Sequence, residues 1–256
     1  MTAPIGVGVI GVGYWGPNLL RNFNSISGAE ARWAADVDVA RLQHIATLYP
    51  NVTTTRDHRA MLDDDDTHAI VVATPADTHC RLSCEALEAG KHVFVEKPMA
   101  ISEAECRQMV QAAERADRKL MVGHTFLFNN AVHRIKELID SGELGEIFYV
   151  YINRVNLGLF REDCNVVWDL APHDIAILNW LLDSTPDKLT AVGHSYVQPD
   201  IEDVAFINLQ YPGKVMAQLH VSWLDPNKVR TITVVGSNKM LVYDCLLYTS
   251  PSPRDP

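Results

Sequence analysis

The sequence lacks several things, and each absence removes a class of protein. Its five cysteines are odd in number and none forms a Cys-x-x-Cys pair, so neither a disulfide framework nor a cysteine-built metal site is expected. Cys80 and Cys84, at helical spacing, read as packing. No apolar run approaches the length of a membrane span; Ala69 to Ala73 is typical. The N-terminus enters a strand with no charged leader and no cleavage site. Basic clusters are missing as well, and with a formal charge of −10 there is nothing to follow a phosphate backbone. The acidic run Asp63 to Asp66 lacks oxygen-ligand spacing with a glycine turn, so it reads as a solvated loop and no metal is expected. These exclusions leave the expectation of a cytoplasmic protein with no nucleic-acid or membrane partner.

What is present begins with apolar Ile5 to Ile10, which runs into Gly11-Val-Gly13-Tyr14-Trp15-Gly16 and then a helical pattern through Leu19, Leu20 and Phe23. This is strand, glycine turn, helix. The first glycine permits the turn, the second lets backbone approach a pyrophosphate, and the third lets helix pack on strand, with helix N–H groups left for phosphate. A second strand, Ala31 to Ala35, ends at Asp36, about twenty residues on, where a carboxylate suits ribose hydroxyls. Asp38 follows and no basic residue precedes Arg41, so NAD is favoured over NADP. Helices are expected from Val39 to Leu48 and near Asp57 to Leu62.

Ala69-Ile-Val-Val-Ala-Thr74-Pro75 reads as a buried parallel strand and a loop at the sheet's carboxyl edge, followed by a helix from His79 to Ala89 that Thr78 can cap. His79, at the start of that helix, reads as a packing residue. Val93 to Val95 is the next strand, and Glu96-Lys97-Pro98 leaves its carboxyl end, where a lysine can hold its ammonium over a cleft. Ser102 to Glu105 matches a capping box opening a helix to Asp117, before a strand at Lys119 to Val122. The alternation predicts a doubly wound parallel sheet over residues 1–122. Thr74, Pro75, Glu96 and Lys97 join Gly11, Gly13, Tyr14, Trp15, Gly16 and Asp36 as candidate cofactor-binding residues.

From residue 123 to 244 the pattern changes to β-rich runs: Glu146 to Val155, Lys188 to Val197, Val204 to Tyr211, Val215 to Trp223, Arg230 to Val235 and Met240 to Tyr243. An antiparallel sheet with a helix near Ile175 to Leu182 is expected. Residues 245–256 break the pattern, with three prolines in twelve residues. They resemble the translation of a transposase adapter used in sequencing libraries, so the expectation is a non-native tail and a natural protein that continues past Asp244.

Gly11 to Gly16, Ala73-Thr-Pro75 with His79, Glu96-Lys97-Pro98 and Trp168-Asp169-Leu-Ala-Pro-His173-Asp174 together resemble the Gfo/Idh/MocA oxidoreductases. The resemblance implies a Rossmann domain joined to an α+β domain with a large, mostly antiparallel sheet, incomplete here, with the active site between them and the Lys97–Pro98 bond commonly cis. It implies NAD-dependent oxidation of a secondary hydroxyl on a cyclic sugar or polyol, the narrower expectation being C3 of a UDP-linked amino sugar. A keto-sugar reductase and a non-catalytic dinucleotide-sensing regulator are the alternatives. A homo-oligomer is implied for the full-length protein.

Asp169 and His173 stand four residues apart, on one face if helical, with Pro172 compatible only with a first turn. Asp169 could instead be a helix cap, and His173 a core histidine. On the catalytic reading His173 is the general base, Asp169 holds the reacting or neighbouring hydroxyl, and Lys97 donates to the reacting oxygen. Glu96 positions its turn. His124 is a candidate substrate contact, in a stretch where Thr-Phe-Leu-Phe-Asn-Asn departs from the arginine and proline of many relatives.

Overall fold

The computed structural model describes residues 3–158 and 160–246, so residues 247–256 of the adapter-like string lie outside the described residues. The chain divides into two compact units, Met1–Gly123 and His124–Pro256.

The first unit is built on a six-stranded sheet: β1 (Ile5–Ile10), β2 (Ala29–Ala35), β3 (Thr53–Thr55), β4 (Ala69–Val72), β5 (His92–Val95) and β6 (Leu120–Val122). All neighbours are parallel, in the order β3-β2-β1-β4-β5-β6. The order reverses between β1 and β4, and in such sheets the crevice for a ligand opens beyond the carboxyl ends there. Five helices alternate with the strands: α1 (Gly16–Ser25), α2 (Val39–Leu48), α3 (Arg59–Leu62), α4 (His79–Glu88) and α5 (Glu103–Ala116). The central strands bury both faces, with Val7, Val9, Ile70, Val71, Val72, Val93 and Val95 all in the core, which is why they read as unbroken apolar runs.

Local chemistry sets the helix ends. Ser102 accepts the Glu105 N–H at 3.2 Å, and the Glu105 carboxylate reaches back to the Ile101 N–H, one residue before the usual capping-box partner. Thr78, expected to cap α4, does not. A 3-10 turn over Ala76–Thr78 runs straight into the helix, leaving Thr78 in helical conformation, so its hydroxyl donates to the Pro75 carbonyl and shares a 2.6 Å hydrogen bond with Thr74 Oγ1. The acidic loop is also more than solvated. Asp64 accepts hydrogen bonds from Trp33 Nε1 and Thr67 Oγ1, which outweigh its partial burial and hold its carboxyl down at about 2.

The second unit has a sheet of β7 (Ile147–Val155), β8 (Lys188–His194), β9 (Val204–Gln210), β10 (Met216–Ser222), β11 (Val229–Gly236) and β12 (Met240–Asp244). Its order is β12-β11-β7-β10-β9-β8, with β7 and β10 parallel and every other pair antiparallel. One face is covered by α6 (Asn130–Asp140) and α7 (Val166–Leu181), against Ile152, Ile207, Leu219 and Val234. The other carries exposed Tyr149, Tyr151, Val192, Phe206 and Met216.

Two expectations for this unit need correction. The helix carrying Asp169 and His173 starts at Val166, not near Ile175, because Asn165 caps it by accepting the Trp168 N–H. Asp169 is therefore a first-turn residue and not the cap, and Pro172 lies inside the helix, where it has no N–H to offer the preceding turn. Helix α6 was not foreseen, nor, in the first unit, was the short strand β3; α6 follows directly on a 3-10 turn, Thr125–Phe128, and is capped by Asn129.

Candidate active site

In the first unit, the candidate residues gather at the carboxyl edge of the sheet. Gly11 follows β1, Asp36 follows β2, Thr74 and Pro75 come just after β4, and Glu96 and Lys97 follow β5. Gly11 has a φ of +89°, and a Cβ there would sit 2.7 Å from the Ala73 carbonyl oxygen, so the turn admits only glycine. A Cβ on Gly16 would meet the Gly11 carbonyl oxygen at 1.9 Å, which lets the start of α1 press directly on the turn. Gly13 faces only the flexible Arg41 guanidinium. Helix α1 begins with neither a side-chain cap nor an acidic residue in its first turn, so nothing of the protein's own competes for an anion there. Tyr14 and Trp15, packed edge to face at 5.5 Å, are both exposed.

Asp36 is buried, and its two carboxylate oxygens accept the Val12 and Asp38 N–H groups, each at 2.9 Å. This ties the end of β2 to the glycine turn while leaving further lone pairs for hydroxyls. The Arg41 guanidinium stands 3.6 Å from Asp36 and 3.5 Å from Asp38. The turn, the uncapped helix start and the carboxylate fit the pyrophosphate and ribose of a dinucleotide: Gly11, Gly13 and Gly16 would give the first room and Asp36 would hold the second.

The Lys97–Pro98 peptide is cis. Glu96 accepts the Lys97 N–H at 3.3 Å, and its carboxyl packs on Gly123, where a Cβ would lie 3.1 Å away. Burial pushes the Glu96 carboxyl above its usual range, against the pull of the Lys97 N–H and charge.

In the second unit, Asp169 and His173 share one face of α7. Trp223 Nε1 donates to Asp169 Oδ2 at 3.1 Å, and Arg161, paired with Asp163, comes within 3.7 Å of Asp169 Oδ1. The His173 ring contacts Phe126 at 4.9 Å and meets His124 edge-on at 6.1 Å. Burial lowers the His124 pKa, favouring a neutral ring, and its Nδ1 has no hydrogen-bond partner among the described residues. His124 and His173 are thus neighbours within the second unit.

What sequence reasoning missed is the frame behind them. Arg154 on β7 holds the buried Asp174 through two parallel hydrogen bonds, Nε–Oδ2 at 2.8 Å and Nη2–Oδ1 at 2.6 Å, and its guanidinium lies 4.6 Å from the Phe126 ring. Burial opposes the Arg154 charge, yet Asp174 outweighs it and raises the guanidinium pKa. A signal existed. Val150, Ile152 and Arg154 alternate inward along β7, so a charge at the third position calls for a buried partner.

Residues 5–124 match the model for the oxidoreductase family NAD-binding Rossmann fold, and residues 132–242 match that for the GFO/IDH/MocA C-terminal domain. An uncharacterized oxidoreductase of Streptococcus pneumoniae serotype 4 is 31% identical over 83% of this chain and 61% of its own length. Inositol 2-dehydrogenase 2 of Saccharopolyspora erythraea is 29% identical over 84% of this chain and 66% of its own length. Among solved structures, GenD2 from gentamicin A biosynthesis, in complex with NAD, superposes with a TM-score of 0.89 at 26% identity, covering 95% of this chain and 73% of that one. The chain therefore spans about three fifths of the length of the pneumococcal relative. Its first unit is an NAD-binding Rossmann domain, and the chain belongs to the Gfo/Idh/MocA oxidoreductase family.

Proposed function

We propose that the protein is an NAD-dependent dehydrogenase that oxidises a secondary hydroxyl on a cyclic sugar or polyol. The observation that carries this reading is a dinucleotide cradle with Lys97 on the same sheet edge, in a chain that also presents Asp169 and His173 on one face of α7. Oxidation requires the hydroxyl proton to leave as hydride departs from carbon. NAD, when bound, supplies the hydride acceptor at C4 of its nicotinamide.

His173 takes the hydroxyl proton, a task suited to an imidazole at neutral pH. Asp169, oriented by the Trp223 indole, accepts a hydrogen bond from the reacting or neighbouring hydroxyl. Lys97 donates to the reacting oxygen. Neutral His124 offers Nδ1 to a further hydroxyl, and Glu96 holds the Lys97 turn through the backbone N–H.

The narrower reading is C3 of a UDP-linked amino sugar, supported by the Gly13-Tyr-Trp-Gly-Pro-Asn18 and Trp168-Asp-Leu-Ala-Pro-His-Asp174 strings. The exposed apolar face of the second sheet supports a homo-oligomer. The test is a panel of UDP-sugars, free sugars and inositols with NAD, the product then identified by NMR. A ketone at C3 of a UDP-linked amino sugar supports the narrow reading. A ketone elsewhere on a ring keeps only the broad one, and no oxidised product from any compound removes both.

A further inference from the structure

His79 is the first residue of α4 and is 1% exposed, so its hydrogen bonds must be satisfied inside the protein. Both ring nitrogens face backbone carbonyls. Nδ1 lies 2.8 Å from the Pro98 oxygen and Nε2 lies 2.9 Å from the Thr74 oxygen. A carbonyl oxygen only accepts, so each contact needs a proton on the ring nitrogen. A neutral imidazole has one N–H and would aim its remaining lone pair at the other carbonyl at under 3 Å. A ring donating at both nitrogens carries two protons and a positive charge, and its hydrogen bonds are of the stronger, charge-assisted kind.

The start of a helix disfavours a cation, since the helix dipole places partial positive charge there. The two carbonyls oppose that effect directly, each presenting its oxygen to one end of the ring. The carbonyls also belong to the two segments that matter most in this unit. Thr74 opens the loop after β4, at the point where the sheet order reverses, and Pro98 completes the turn that carries Lys97. Cys80, the next residue in the chain, is buried and burial pushes its thiol up to about 11, so it supplies no thiolate counter-charge.

We infer that His79 is a positioning residue that donates from both ring nitrogens, as an imidazolium, to tie the cofactor-side Thr74 loop to the turn carrying Lys97. This deepens the dehydrogenase reading and rests on it for the role of Lys97. The protonation of the ring does not. A Gln side chain can donate to one of the two carbonyls but cannot span both, so it breaks the tie while keeping polarity.

The deciding measurement is an NMR nitrogen–proton correlation of the histidine rings at neutral pH in the intact chain. His79 is assigned by the loss of its signals in His79→Gln or, should that variant not fold, from its through-space contacts to Pro98. Protons on both His79 nitrogens are expected, and one bare ring nitrogen overturns the inference. In kinetics, His79→Gln should lower turnover about tenfold at saturating NAD and sugar, with the KM for sugar changed less than threefold. Unchanged turnover would remove the link to Lys97. If no sugar is oxidised by the wild type, the dehydrogenase reading fails while the NMR result still decides the state of His79.

Discussion

The carboxyl edge of the first sheet and the start of α7 both present candidate catalytic side chains, but they are built from different materials. Along the sheet edge that carries Lys97 the frame is backbone: a glycine turn with positive φ, carbonyls that face the two His79 ring nitrogens, and a Glu96 carboxylate that accepts the next N–H. Around His173 the frame is side chains from separate strands and turns, with Arg154 on Asp174, Phe126 against the ring and Trp223 on Asp169. A frame of backbone leaves its signature in neighbouring residues. A frame of side chains scatters it over some hundred residues, here from Phe126 to Trp223.

That difference can be broken from either side. The largest effect is expected at Arg154→Leu, which strands the Asp174 carboxylate in a dry interior; losing one partner of a buried pair costs about 3–5 kcal/mol. Hydrogen-exchange protection should collapse across β7 and α7 while β1 keeps its own. Equal loss in both would mean that the pair is not local to the second unit.

Next come His173→Ala and Lys97→Met. Each should lower turnover about a hundredfold or more, near 2.7 kcal/mol of transition-state stabilisation, with NAD affinity within about threefold in a fluorescence titration. Wild-type turnover in either variant removes that residue from the chemistry.

Gly16→Ala tests the backbone frame, because the added Cβ would meet the Gly11 carbonyl oxygen at 1.9 Å and force the helix off the turn. Overpacking of this kind costs about 1–3 kcal/mol, so NAD should bind about tenfold or more weakly by calorimetry. Undiminished affinity would show that the helix start does not need its present position. The smallest effect is expected at Ser102→Ala, which deletes the cap of α5 and should cost about 1 kcal/mol in urea unfolding with NAD binding intact. No change in the midpoint would mean that Glu105 alone holds that helix end.

The same contrast explains what the sequence revealed. The parallel sheet, its glycine turn and Asp36 were legible because buried parallel strands are uniformly apolar and the turn needs glycine at fixed positions. Thr78 misled because its hydroxyl had a nearer acceptor in the Pro75 carbonyl, and His79 read as packing because burial alone is visible in a pattern. In the second unit the strands were legible by alternation, but the helix start was not. Pro172 argued for a first turn, whereas Asn165 begins the helix seven residues earlier and the fold tolerates a missing N–H inside it. Arg154 and Asp174 are twenty residues apart on different elements, so no local window could join them.

The proposed reaction is the oxidation of a secondary hydroxyl with NAD, and NADH absorbance tests that most directly. The chain is mixed with NAD and each cyclic sugar or polyol in turn, alongside Lys97→Met and His173→Ala. The account predicts NADH formation by the wild type with at least one compound and its near loss in both variants. NAD binding without NADH from any compound, or activity that survives both substitutions, would contradict it.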